Sequence, residues 1–159
     1  MSLFIRNILK LVPILLVLGF FFGCGDASKG QTRFTNTDIT GADFARDFDL
    51  TSHRGERVSL TDFKGKVVIV FFGFMHCPDI CPTTLTELNS LMDKLGKDAQ
   101  DVQVLFVTVD PERDKLDNLG PYMEVFNPNF LGLWGTPDEI EAVTKEFKII
   151  YQKVPGVTP

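Results

Sequence analysis

The chain has 159 residues and a formal net charge of −5, with 44% apolar and 23% charged residues. That length holds one ordinary globular domain plus a targeting segment. An acidic chain without a basic stripe is a poor nucleic-acid binder, and none is expected as its partner; three cysteines do not make a disulfide-stapled framework.

Residues 1–24 read as an export leader. Arg6 and Lys10 supply a positive start, residues 11–22 are uncharged and almost wholly apolar, and Gly23-Cys24 follows. The run is short of the ~20 residues a spanning helix needs, and Pro13 lies inside it. A cysteine after a small residue resembles a bacterial lipoprotein cleavage site, with lipid on Cys24. An uncleaved membrane anchor and an incidental cysteine are the alternatives. All three place the domain outside the cytoplasm, facing an oxidising space, and the first two tether it to a membrane through its N-terminus. Residues 25–40, rich in Gly, Ser, Thr and Asn, read as a linker. The folded domain is expected over residues 41–159.

Residues 47–60 read as a hairpin with its turn near Arg54-Gly55. Thr61-Asp62 is placed to cap a short helical turn that Gly65 closes. Val67-Val-Ile-Val-Phe-Phe72 is β-branched and aromatic throughout, so it is expected as a central strand buried on both faces. Pro82 fits the first position of a helix carrying Leu85, Leu88, Leu91, Met92 and Leu95 on helical spacing and ending at Gly96. Residues 102–109 form a second apolar strand, followed by a polar loop over 110–114. A helix is expected over 114–126, kinked or restarted at Gly120-Pro121. Residues 130–134 suit a short strand. Thr136-Pro-Asp-Glu opens a last helix with Ile140, Val143 and Phe147 facing inward, and residues 149–154 are a final apolar run. Strand and helix in alternation give parallel neighbours joined by right-handed crossovers. The expected class is therefore α/β.

Ligands in such sheets gather at the carboxyl ends of strands. The loop after the first long strand carries Cys77 and Cys81, and the loop after the second carries Asp110, Arg113 and Asp114. Both are expected to open on one edge of the sheet. Thiols at a helix N-terminus meet free N–H groups and a partial positive charge, which favour thiolate. Thiolate serves either disulfide exchange or soft-metal binding. The Cys77–Cys81 spacing gives ~6 Å of rise on a regular helix, within reach of a disulfide or of one shared metal ion. A purely structural disulfide is disfavoured because it would close almost no loop. Asp79, between the thiols, is either an outer partner of a metal or acid–base site or a helix cap. Asp110, Arg113 and Asp114 either present a charged rim to a docking partner or form an Asp–Arg pair that closes their loop. His76 is read as a structural or surface residue, His53 as a solvated turn residue and Trp134 as packing. Phe72, Phe74 and Met75 are read as lining core and loop, with a transient thioether ligand as the alternative for Met75.

Gly73-Phe-Met-His-Cys-Pro-Asp-Ile-Cys-Pro82, followed by Val107-Thr-Val-Asp-Pro-Glu-Arg-Asp114, resembles the SCO (SenC) family from about residue 44 to residue 154. The resemblance implies a thioredoxin-like fold and a membrane-tethered copper protein of the extracytoplasmic space. It implies Cu(I) or Cu(II) bound by Cys77 and Cys81. The expected partner is the copper-site subunit of cytochrome c oxidase, or another copper chaperone. A thiol–disulfide reductase acting on that subunit's cysteines is the alternative, with the same two residues as its redox pair. The family adds one histidine from a later segment, and neither His53 nor His76 stands at its place. A C-terminally incomplete domain is therefore expected, leaving residues 67–72 or a neighbour partly uncovered.

Overall fold

Two apolar runs pair in parallel and found the sheet. Strand β3 (Val67–Gly73) lies beside β4 (Val102–Thr108), in register from Val67 opposite Val102 to Gly73 opposite Thr108. A computed structural model describes residues 35–152 of the chain. The expectations for residues 1–24, Cys24 among them, for most of the linker and for residues 153–154 lie outside the described residues. The compact unit that carries the site begins at Gly41. Of the preceding unit only residues 35–40 are described, where Asp38 accepts bonds from the Thr40 N–H and hydroxyl.

The hairpin expected near the start is present as β1 (Asp49–Ser52) and β2 (Arg57–Ser59), antiparallel around a turn in which Gly55 takes a φ of +88°. The next short helix, a 3-10 turn over Leu60–Phe63, is capped two residues earlier than expected. Ser59 is its N-cap, and Asp62 closes a reciprocal capping box. Strand β5 (Leu131–Trp134) pairs parallel to β4 and antiparallel to β1, so the sheet order is β2-β1-β5-β4-β3.

That order corrects one expectation. β3 is an edge strand among the described residues, not a central one, and Val67 is 64% exposed. Its apolar alternation reports that both faces are packed, with Val68, Val70 and Phe72 on one core and Ile69 and Phe71 on the other. Side-chain pattern says nothing about lateral position, which hydrogen-bond pairing decides.

Helix α1 (Ile80–Leu95) starts two residues before the expected Pro82, so Cys81 sits inside its first turn. Gly96 ends it as expected. Helix α2 (Leu116–Phe126) runs through Pro121 as one element. The carbonyl that Pro121 leaves without a helical donor belongs to Asp117, an exposed residue of the first turn, where water can serve it. Helix α3 (Pro137–Glu146) has Thr136 as N-cap, with Glu139 completing the box. The run after it is not a strand: Ile149 and Ile150 are exposed, Ile150 at 97%.

The sheet separates two cores. Phe48, Leu50, Leu105, Val107, Leu131, Leu133, Ile140 and Val143 close one face beneath α3. Leu85, Val104, Phe106, Leu119, Met123 and Phe130 close the other beneath α1 and α2. This places the N-terminus of α1 at the carboxyl ends of β3 and β4, where both candidate loops emerge.

Candidate functional site

Cys77 and Cys81 are free thiols in different surroundings. Cys77 is half-buried and Cys81 is 6% exposed. The sulfur of Cys77 takes the place of a helix cap, accepting the Cys81 backbone N–H at 3.4 Å. Partial burial pushes the Cys77 thiol up. The N–H groups of Asp79, Cys81 and Ile80 outweigh that and hold it below its ordinary value. Cys81 goes the other way. Burial pushes it up to about 11, against the Phe74 N–H that faces it, and the neighbouring charges of Cys77 and Asp114 add to the rise. The pair therefore combines a half-buried sulfur whose pKa is lowered with a buried one whose pKa is raised.

Gly73 makes the close packing of Cys81 possible. A Cβ at this position would lie 3.0 Å from the Cys81 sulfur and 2.9 Å from Cε2 of Phe106. The last residue of β3 must therefore lack a side chain for Cys81 to settle on the sheet.

Asp114 ties the two loops together. It is fully buried, accepts the Thr108 hydroxyl at 2.6 Å and the Met75 N–H at 3.0 Å, and faces Nδ1 of His76 at 3.3 Å. The loop that carries Cys77 is thus fastened to the end of β4. Its burial takes Asp114 out of the expected charged rim, and the expected Asp–Arg pair is made by Asp110 with Arg113 instead. The Arg113 guanidinium lies 6.0 Å from the centre of the Phe74 ring. Asp79 is the N-cap residue of α1. Its carboxylate is exposed and is met by the Thr83 hydroxyl at 3.4 Å, while its backbone N–H serves Cys77. Trp134 packs against the α1–α2 core and donates to the Pro111 carbonyl at 3.1 Å.

His53 departs from its expectation as a solvated turn residue. Its backbone N–H donates to the Gly132 carbonyl at 2.8 Å, and its Nδ1 accepts the Gly132 N–H at 3.0 Å. The ring thereby prolongs the β1–β5 ladder where the chain turns away, and burial together with Arg54 holds it below its ordinary pKa. It stands apart from the thiols. Two residues were not singled out by sequence. Thr108 is the buried hydroxyl that orients Asp114. Tyr122 has a buried hydroxyl without a hydrogen-bond partner among the described residues. The signal for Tyr122 was a tyrosine on a helix whose Leu119, Met123 and Phe126 face inward.

Two soft sulfurs at a helix N-terminus suit a low-coordinate soft cation such as Cu(I), or a dithiol–disulfide couple. Among the described residues, no group of three or more His, Cys, Asp or Glu side chains is disposed to hold a metal ion.

Known proteins with this sequence and shape are informative. A SCO2-like protein of Rickettsia felis is 39% identical over 110 residues, 69% of this chain and 54% of the relative. The chain thus spans about half the length of that relative. The solved structure of Bradyrhizobium japonicum ScoI with copper bound superposes with a TM-score of 0.67 at 40% identity, covering 70% of this chain and 71% of that one. BsSco, described as a member of the Sco family of cytochrome c oxidase assembly proteins with a disulfide switch, gives 0.58 at 32% identity, covering 69% and 67%. The fold is thioredoxin-like. The SCO1/SenC family model matches residues 36–158, which takes in the whole described sheet and both loops of the thiol site, and on that match the chain belongs to the SCO1/SenC family.

Proposed function

We propose that this protein is a membrane-tethered copper chaperone of the extracytoplasmic space. It takes copper at Cys77 and Cys81 from another copper chaperone and passes it to the copper-site subunit of cytochrome c oxidase. The observation that carries this reading is the pair of free sulfurs at the head of α1, Cys77 half-buried and accepting the Cys81 N–H at 3.4 Å, Cys81 buried behind it. Its relatives support the cargo and the partner: ScoI carries copper, and BsSco belongs to a family of oxidase assembly proteins. Copper is cargo here. Cys77 receives it at the surface, and Cys81 draws it toward the sheet. Asp114 holds the loop so that the sulfurs converge, while Asp110, Arg113 and the exposed Ile80 between the thiols (69% exposed) form the ground on which a partner docks. The tether is the leader of residues 1–24, with Cys24 as the point of lipid attachment.

Titrating the reduced protein with Cu(I) against a competing chelator tests the site. Tight uptake is expected, and it is lost when both cysteines become alanine (Cys77→Ala, Cys81→Ala). Equal uptake by that double variant would sink the assignment.

A second reading has its own observation, the unequal burial of the two free thiols, Cys77 half-buried and Cys81 buried. In a thiol–disulfide reductase the Cys77 thiolate attacks a substrate disulfide and expels one substrate thiolate. Cys81 then loses its proton and resolves the mixed disulfide, releasing the second thiolate and leaving Cys77–Cys81 oxidised. A Cys81→Ser variant that traps a mixed disulfide at Cys77 supports this role. Negligible exchange alongside tight copper binding dismisses it.

A further inference from the structure

The loop over residues 110–114 is fastened to three parts of the fold. It is held to β4 by the Asp110 N–H, which donates to the Thr108 hydroxyl at 3.0 Å. It is folded on itself by the Asp114 N–H, which donates to the Asp110 carbonyl at 2.9 Å. To β5 it is held at Pro111. That residue is buried, and a carbonyl taken out of water needs a donor. Nε1 of Trp134 supplies one at 3.1 Å, and Nζ of Lys115 a second at 3.1 Å. The two donors differ in stiffness. Lys115 is exposed on a flexible stem, and water can stand in for its ammonium. Trp134 is the last residue of β5, paired with Thr51, and its ring packs on the core beneath α1 and α2.

The third fastening reaches the thiol loop. Asp114 accepts the Met75 N–H at 3.0 Å while the Thr108 hydroxyl donates to the same carboxylate oxygen at 2.6 Å. The Arg113 guanidinium lies 6.0 Å from the centre of the Phe74 ring. Phe74 in turn opens the turn that Cys77 closes, the Cys77 N–H donating to the Phe74 carbonyl at 3.3 Å. A continuous run of contacts therefore leads from the indole N–H of β5, through Pro111 and Asp114, to the backbone that carries Cys77. Its end in β5 is rigid, and its other end is a loop without regular structure. Displacement of the Pro111 carbonyl moves the segment whose carboxylate holds Met75.

We propose that Trp134 is a positioning residue of the thiol site, fixing the 110–114 loop at the Pro111 carbonyl so that Asp114 holds the Met75–Cys77 turn in place. A site reached through loops needs such support, because ligands loosely held do not converge on one metal ion. For what Cys77 receives, this rests on the copper-uptake reading above. For how Cys77 is held, it rests on the contacts alone.

The test is Trp134→Phe in the full-length reduced chain, which keeps an aromatic ring and removes the N–H donor. Hydrogen exchange at the Met75 amide is expected to quicken about threefold to tenfold, the worth of one hydrogen bond. Exchange at the Ile140 amide, bonded to Thr136 on the other face, is expected to stay as in wild type. Competitive titration should show Cu(I) affinity weakened by about the same factor as the Met75 change. Equal quickening at Met75 and Ile140 reports a general loss of stability and overturns the positioning role. So does an unchanged Met75 rate, or a quickened one with full Cu(I) affinity. A second measurement needs no change at Trp134 itself. Trp134 is the one tryptophan of the chain, so its fluorescence reports the indole alone. Thr108→Val, which removes the hydroxyl between Asp110 and Asp114, is expected to shift that emission to longer wavelength as the loop loosens and water reaches the indole. Unshifted emission overturns the link between loop and indole. A wild-type chain that takes up no Cu(I) overturns the copper reading, and the Met75 exchange, which needs no metal, then supports or overturns the placement by itself.

Discussion

The two faces of the sheet are built from the same strands, yet they do different work. The face beneath α3 is sealed by aliphatic and phenyl side chains, with Leu50, Leu105, Leu133 and Ile140 fully buried. The face beneath α1 and α2 is as tightly packed around Leu85, Phe106 and Met123, but at its top it holds Cys81, Tyr122 and, at the loop, Asp114. Buried polar and sulfur atoms weaken a core unless partnered. Buried hydroxyls elsewhere, those of Ser52 and Thr144, have backbone partners, so what sets the site apart is its buried thiol and carboxylate. Gly73 shows the same division at a single residue, ending a strand whose other positions carry bulk.

The largest effect should come from the sealed face. Leu133→Ala is expected to lower stability by about 3 kcal/mol in denaturant titration, the middle of the range for a buried leucine. The alkylation rate of Cys77 in the folded protein should stay as it was. A changed thiol rate would break the division between the faces.

Asp114→Ala comes next. It strips the Thr108 hydroxyl and the Met75 N–H of their acceptor, at a cost of about 2–4 kcal/mol. Unlike Leu133→Ala it is expected to speed hydrogen exchange at Met75 and to slow copper uptake. Unchanged exchange at that amide would refute the brace.

Gly73→Ala forces a methyl group against Cys81 and Phe106. A loss of about 1–3 kcal/mol is expected from overpacking, together with weaker Cu(I) binding. Stability loss with full affinity would show that Cys81 has slack in its seat.

The smallest effect lies at His53, far from the thiols. Only the neutral ring can accept the Gly132 N–H, and its folded pKa lies below the ordinary 6.5. The unfolded chain therefore binds the proton more readily. The stabilisation is full above pH 6.5 and is lost as pH falls through the lowered folded value. Arg54 adds to the effect and Glu124 opposes it. His53→Gln should flatten the fall in melting temperature on the acid side. An unaltered slope would mean that the ring does not support the ladder.

Much of this architecture was legible beforehand, for reasons that differ by residue. The hairpin, the strand at β4, the Thr136 capping box and the stop at Gly96 all depend on neighbours in sequence, so local chemistry announces them. Capping boxes and β-branched runs need no knowledge of the rest of the chain. The start of α1 was missed because Pro82 tolerates, but does not require, the first position. β3 was read as central because a continuous apolar run reports two packed faces and not lateral neighbours.

By itself the sequence determined the order of elements, the pair of thiols between a strand and a helix, and the family, all of them written in contiguous segments. The tertiary structure alone decided which sulfur is open and which is buried. It also decided that Asp114 braces the Met75 amide 39 residues away, and that His53 completes a ladder with Gly132 across 79 residues. It left the Tyr122 hydroxyl buried without a hydrogen-bond partner among the described residues. Burial and hydrogen-bond partnership are properties of segments brought together by folding, and they set the charge each group can carry.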